Sequence, residues 1–79
     1  MELALIVYFN RPLSRYTSYS KEILEFVEQH IDPRVPVEVA TVADAGGTEV
    51  EIYFANANMQ VIDEVESALS RAGYLVDYA

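Results

Sequence analysis

An α+β fold of order βαββαβ, with four antiparallel strands in one sheet and two helices on one face, is what the sequence predicts. Three observations carry it. Two segments repeat apolar residues every three or four positions, and four shorter ones are rich in β-branched and aromatic residues. Asp44-Ala45-Gly46-Gly47 then offers a hairpin turn between the second and third of those short segments, since glycine accepts the positive φ such turns need.

Glu2 to Phe9 is a nearly continuous apolar run and reads as a central strand. Asn10-Arg11-Pro12 breaks it, because proline removes a donor and keeps its predecessor out of the helical region. Tyr16, Tyr19, Ile23, Phe26, Val27, His30 and Ile31 then define one face of a helix. Ser14 caps a long version of it and Ser18 or Ser20 a shorter one, and Asp32-Pro33 ends it. Val35 to Ala43 is the second strand, and Pro36 near its start marks it as an edge.

Thr48 to Phe54 alternates most cleanly, with Val50, Ile52 and Phe54 on one side and Glu49, Glu51 and Tyr53 on the other. Asn56 or Asn58 caps a second helix. Its stripe is Met59, Ile62, Val65, Leu69 and Ala72, widened by Val61 and Ala68. Gly73 suits its C-terminal end, and Tyr74 to Tyr78 is the last strand. This order is the ferredoxin-like, or split βαβ, arrangement. Right-handed crossovers put the first and third strands in the centre and leave one sheet face open. Ala4, Ile6, Tyr8, Glu38, Glu49, Glu51 and Tyr53 are expected on it.

At 79 residues the chain has room for a single domain, 1–79, and its 52% hydrophobic content is enough for it to fold. With no cysteine, disulfides, iron–sulfur clusters and thiolate zinc sites are excluded. The opening residues lack the basic start of a signal peptide and the run is too short to span a bilayer, so a soluble cytoplasmic protein is expected, without membrane contact.

Charge is distributed very unevenly. Residues 1–34 hold five acids and four bases. Residues 35–79 hold eight acids, Glu38, Asp44, Glu49, Glu51, Asp63, Glu64, Glu66 and Asp77, against one base, Arg71. Such a field repels nucleic acid and attracts basic partners.

The tyrosines of the central strands fall where RNA-recognition domains place stacking aromatics. Gly47-Thr48-Glu49-Val50-Glu51-Ile52-Tyr53 departs from that family's motif by setting carboxylates beside them, which repel phosphate. Direct nucleic-acid binding is therefore not expected. Leu5-Ile6-Val7-Tyr8-Phe9, followed by a Ser/Thr-rich segment and a helix, resembles the first phosphate-binding loop of flavodoxins over about twenty residues, which would imply an anion site at Arg11, Ser14 and Arg15. The chain is about half the length a doubly wound fold needs, so a capped helix with exposed arginines is the better reading.

One histidine and no cysteine give no nitrogen–sulfur metal site, and His30 suits a helix C-terminus. Asp63, Glu64 and Glu66 project in different directions around a helix and make a poor catalytic carboxylate pair. No cofactor and no catalytic residue is expected.

These features favour a non-enzymatic protein-binding domain docking on a basic protein surface through Tyr8, Glu38, Glu49, Glu51, Tyr53, Asp63, Glu64 and Glu66. Its sharper form is an acidic inhibitor or nucleic-acid mimic of the viral type, aimed at a nucleic-acid-binding protein. Two alternatives stand beside it. One is a self-associating domain or designed scaffold that forms a homodimer through the open face. The other is a small anion-binding sensor.

Overall fold

The computed structural model describes residues 1–10, 19–44 and 47–79. Its elements are β1 (Glu2–Phe9), α1 (Tyr19–Glu28), β2 (Val37–Asp44), β3 (Gly47–Phe54), α2 (Met59–Arg71) and β4 (Leu75–Tyr78). They form one antiparallel sheet of order β2-β3-β1-β4, the ferredoxin-like α+β fold. Ser14, Tyr16 and Ser18, like the turn residues Ala45 and Gly46, lie outside the described residues.

Period-2 alternation decides which side chains form the core. Leu5, Val7 and Phe9 of β1 and Val50, Ile52 and Phe54 of β3 are buried against Tyr19, Ile23 and Val27 of α1 and Val65 and Leu69 of α2. Both helices therefore cover the same face. Phe9 stacks on Tyr19 with ring centroids 4.4 Å apart, and Tyr74 meets the edges of Phe9 and Phe26. Val37 and Val39 of β2 are only half-buried at the margin of this core, as edge-strand residues are.

The ends of the elements differ from expectation for local reasons. The first helix stops at Glu28, short of Ile31, because the N–H groups of Gln29 and His30 donate to Phe26 and Val27 and tighten the chain into a turn. His30 Nδ1–H donates to the same Phe26 carbonyl at 2.8 Å, and its ring stacks on Phe26. The second strand starts at Val37 because Pro36 has no N–H to donate to β3, and Val35 before it belongs to a turn, its N–H donating to Asp32 O at 2.9 Å. Of the two candidate caps for α2 it is Asn58 that acts, its Oδ1 accepting from Val61 N–H at 3.0 Å, while Asn56 sits at φ 57°.

Helix α2 ends in a Schellman motif. Tyr74 N–H donates to Leu69 O and Gly73 N–H to Ser70 O, each at 3.1 Å, with Gly73 at φ 95°. Gly47 is fixed by close approach, because a Cβ there would sit 2.7 Å from Phe9 O. Met59 and Ala72, expected in the buried stripe of α2, are exposed at its two ends.

Candidate functional site

The face of the sheet away from the helices is built by cross-strand register. Glu38 lies beside Tyr53, and Tyr53 beside Leu3. The next row is Ala40, Glu51, Ile6 and Asp77, and the one after it is Val42, Glu49, Tyr8 and Leu75. A register shift between Leu3 and Leu5 leaves Ala4 without a β3 partner. Ala4 packs against the core cluster and not on the open face, where alternation alone had set it.

Four carboxylates, Glu38, Glu49, Glu51 and Asp77, thus share one surface with apolar neighbours. Tyr8 is 39% exposed, Val42 44% and Leu75 68%. The described bases are elsewhere: Lys21 on α1, Arg71 on α2, and Arg34 in the loop before β2. The Arg34 guanidinium binds Asp32 at 2.7 Å and holds that carboxyl below its usual range. Glu49 and Glu51 sit two residues apart on β3, a separation of roughly 7 Å, where two unit charges repel by about 0.6 kcal/mol in a water-like dielectric.

Two of these carboxylates have a protein donor: Asp77 Oδ1 accepts from the backbone N–H of Tyr78 at 2.9 Å, and Glu51 accepts from a side chain. Tyr53 Oη–H donates to Glu51 Oε1 at 3.1 Å, which raises the phenol's pKa, first through that bond and then through burial. Tyr53 also flanks Glu38 across the strand pair, so Glu38, Tyr53 and Glu51 form one polar cluster at the β2–β3 seam.

The other expected contact residues lie on the opposite layer. Asp63, Glu64 and Glu66 belong to α2, and Asp63 accepts from Tyr78 Oη–H at 2.6 Å. That bond pushes the Tyr78 phenol up to about 12. Glu66 accepts from Ser70 Oγ–H at 2.9 Å, and Tyr74 Oη–H donates to Glu22 of α1 at 2.8 Å. The structure therefore gathers Tyr8, Glu38, Glu49, Glu51 and Tyr53 on one surface and keeps the three α2 acids apart from them. Arg11, Ser14 and Arg15, the expected anion site, lie outside the described residues.

Leu3, Val42, Leu75 and Asp77 join the open face without having been singled out from sequence. Alternation around Val76 hints at Leu75 and Asp77, but only the pairing of β4 with β1 sets them beside Tyr8 and Ile6. A cleft of about 760 Å³ opens elsewhere, between the start of β1, the end of β3 and the first turn of α2. Its lining mixes apolar side chains with polar surface that includes Glu2, Asn56 and Tyr78. Among the described residues no three carboxylate or imidazole groups converge closely enough to hold a metal ion. No described helix is long and apolar enough to cross a membrane.

The chain matches no protein-family model, and neither a curated protein nor a solved structure is significantly similar to it.

Proposed function

We propose that this chain is a non-enzymatic binding domain whose open sheet face docks on a basic protein surface. The observation that supports it is the face itself, four carboxylates with no described base among them, interleaved with exposed Tyr8, Val42 and Leu75. Carboxylates accept strongly from arginine and lysine, and tyrosine supplies contact area at low entropic cost. The acids of α2 extend the negative field and speed encounter without touching the partner.

A nucleic-acid-binding protein is the natural partner class, because its basic surface is built to accept a row of negative charges. In that setting the domain acts as an acidic inhibitor or mimic. Face-to-face pairing of two copies is the weaker reading, since it would press eight carboxylates together with no described base between them.

The test uses two double variants of equal net charge. Glu49→Gln with Glu51→Gln alters the open face, and Glu64→Gln with Glu66→Gln alters α2. Each is titrated against a panel of immobilised basic nucleic-acid-binding domains at low and moderate salt. The expected result is binding that weakens steeply with salt and suffers about tenfold more from the open-face pair than from the α2 pair. Equal losses from both pairs, or indifference to salt, would remove the face from the mechanism. Light scattering that shows a salt-stable dimer would reassign the face to self-association.

A further inference from the structure

The outer edge of β2 is a second recognition element, and its pairing phase can be worked out. Ala55 N–H donates to Pro36 O at 3.2 Å, in register with the Val37–Phe54 pair. Antiparallel pairs alternate between bonded and non-bonded, so Glu38, Ala40, Val42 and Asp44 exchange hydrogen bonds with β3. The N–H and C=O groups of Val37, Val39, Thr41 and Ala43 therefore point away from the sheet, and none has a partner among the described residues.

This edge is guarded only by acidic charge. Edge strands are normally blunted by charged side chains, lysine above all, by an internal proline, by a bulge or by being short. The charges of β2 are Glu38 and Asp44, which deter an acidic chain and not a basic one. β2 has eight residues, pairs with β3 without a register shift, and carries no lysine or internal proline; Pro36 precedes it. The opposite edge is formed by β4, which has four residues. The helix-side residues of β2, Val37, Val39 and Thr41, are half-exposed where an added strand would cover them.

We infer that β2 accepts an extended segment of the basic partner as a fifth strand, with lysine or arginine at alternate positions and β-branched residues between them. The basic positions follow from the rows already described, so the inference rests on the open face being the charged side of the contact. A base opposite Glu38 meets that carboxylate directly. A base opposite Ala40 lies one strand further from Glu51, and the alanine methyl leaves the path open for a long side chain. Glu51 is already held by Tyr53 at 3.1 Å and is ready to accept. The intervening residues of the added strand fall beside Val37, Val39 and Thr41 on the helix side. Main-chain bonds give such a contact its affinity and the alternate side chains its specificity. Charge selects this occupant over a second copy, which would bring its own net charge of −8 to the same edge.

Two capped eight-residue peptides of equal composition test this, one alternating Lys-Val and one with four lysines followed by four valines. Labelled versions are titrated by fluorescence anisotropy, and amide exchange is followed at Val37, Val39, Thr41 and Ala43. The alternating peptide is expected to bind about tenfold tighter and to slow exchange at those four amides. Thr41→Pro removes an outward N–H that β3 does not use, so it should erase the preference and leave only weak, charge-driven binding. Equal affinity for the two peptides without amide protection overturns the edge proposal, and if Glu49→Gln with Glu51→Gln still weakens binding, the face reading survives it. Failure of both peptides to bind overturns the two together. Protection of the same four amides by self-association without peptide makes the occupant a second copy and overturns the basic strand.

Discussion

The two faces of the sheet share one backbone, yet Val50, Ile52 and Phe54 are at most 3% exposed on one side of β3 while Glu49, Glu51 and Tyr53 on the other remain partly open to solvent. The helix-covered face supplies the stability. Its side chains lose contact with water and gain close-packed neighbours, each worth roughly 1.5–3 kcal/mol for full burial. The open face contributes little to the fold, and its carboxylates repel one another. Surface that a chain this small spends on unpaired charge points to a task outside the fold, since marginal stability leaves little to spare.

Exchanging one residue on each side of β3 gives the largest contrast. Ile52→Ala removes a fully buried side chain from the helix-covered face of the sheet and is expected to cost about 2–5 kcal/mol, a large share of the stability of a domain of this size. Glu51→Gln, its neighbour facing the other way, should stay within about 0.5 kcal/mol of the parent and should lean toward stabilisation as repulsion falls. Urea denaturation with a common slope measures both. A loss above about 2 kcal/mol for Glu51→Gln would mean that the open face is packed against something and is not a free surface.

The same contrast explains what was legible in the sequence. Alternation in Thr48–Phe54 assigned all its residues to their faces, because a strand has only two sides and one of them must be apolar. The order βαββαβ gave the sheet its centre and its edges. Ala4 escaped, because a bulge adds a residue without changing the local pattern. Leu75 and Asp77 escaped because β4 is four residues long and its neighbours become known only when it pairs with β1. The separation of Asp63, Glu64 and Glu66 from Glu49 and Glu51 was latent in the topology, since helices pack on one face and the open acids lie on the other. Reading charge along the chain merged them. The polarity of the β2 edge needed a single hydrogen bond, Ala55 to Pro36, to fix its phase.

A smaller difference lies in the phenol–carboxylate bonds of the two sides. Tyr78 to Asp63 ties a strand to a helix, whereas Tyr53 to Glu51 stays within one strand. The Tyr78 phenol is raised from 10.0 to about 12, by its bond to Asp63 first and then by burial and the nearby charges of Asp63 and Glu66. A group whose folded pKa is raised stabilises fully below its unfolded value and loses that contribution as pH climbs through the folded one. The bond therefore helps below pH 10 and fades between about 10 and 12. Asp63→Asn should return the Tyr78 titration toward 10.0, seen as earlier tyrosinate absorbance. The variant should be less stable than the parent at neutral pH, and the gap should close across that window. A Tyr78 titration unmoved by Asp63→Asn would break the assignment. The matching change on the open face, Tyr53→Phe, removes a bond between partly exposed groups on one strand and should shift stability by only a few tenths of a kcal/mol. Its effect should appear in binding, where Glu51 loses the donor that holds it. A Tyr53→Phe variant of unchanged stability but weaker affinity for the alternating peptide would separate the face that holds the fold from the face that meets a partner.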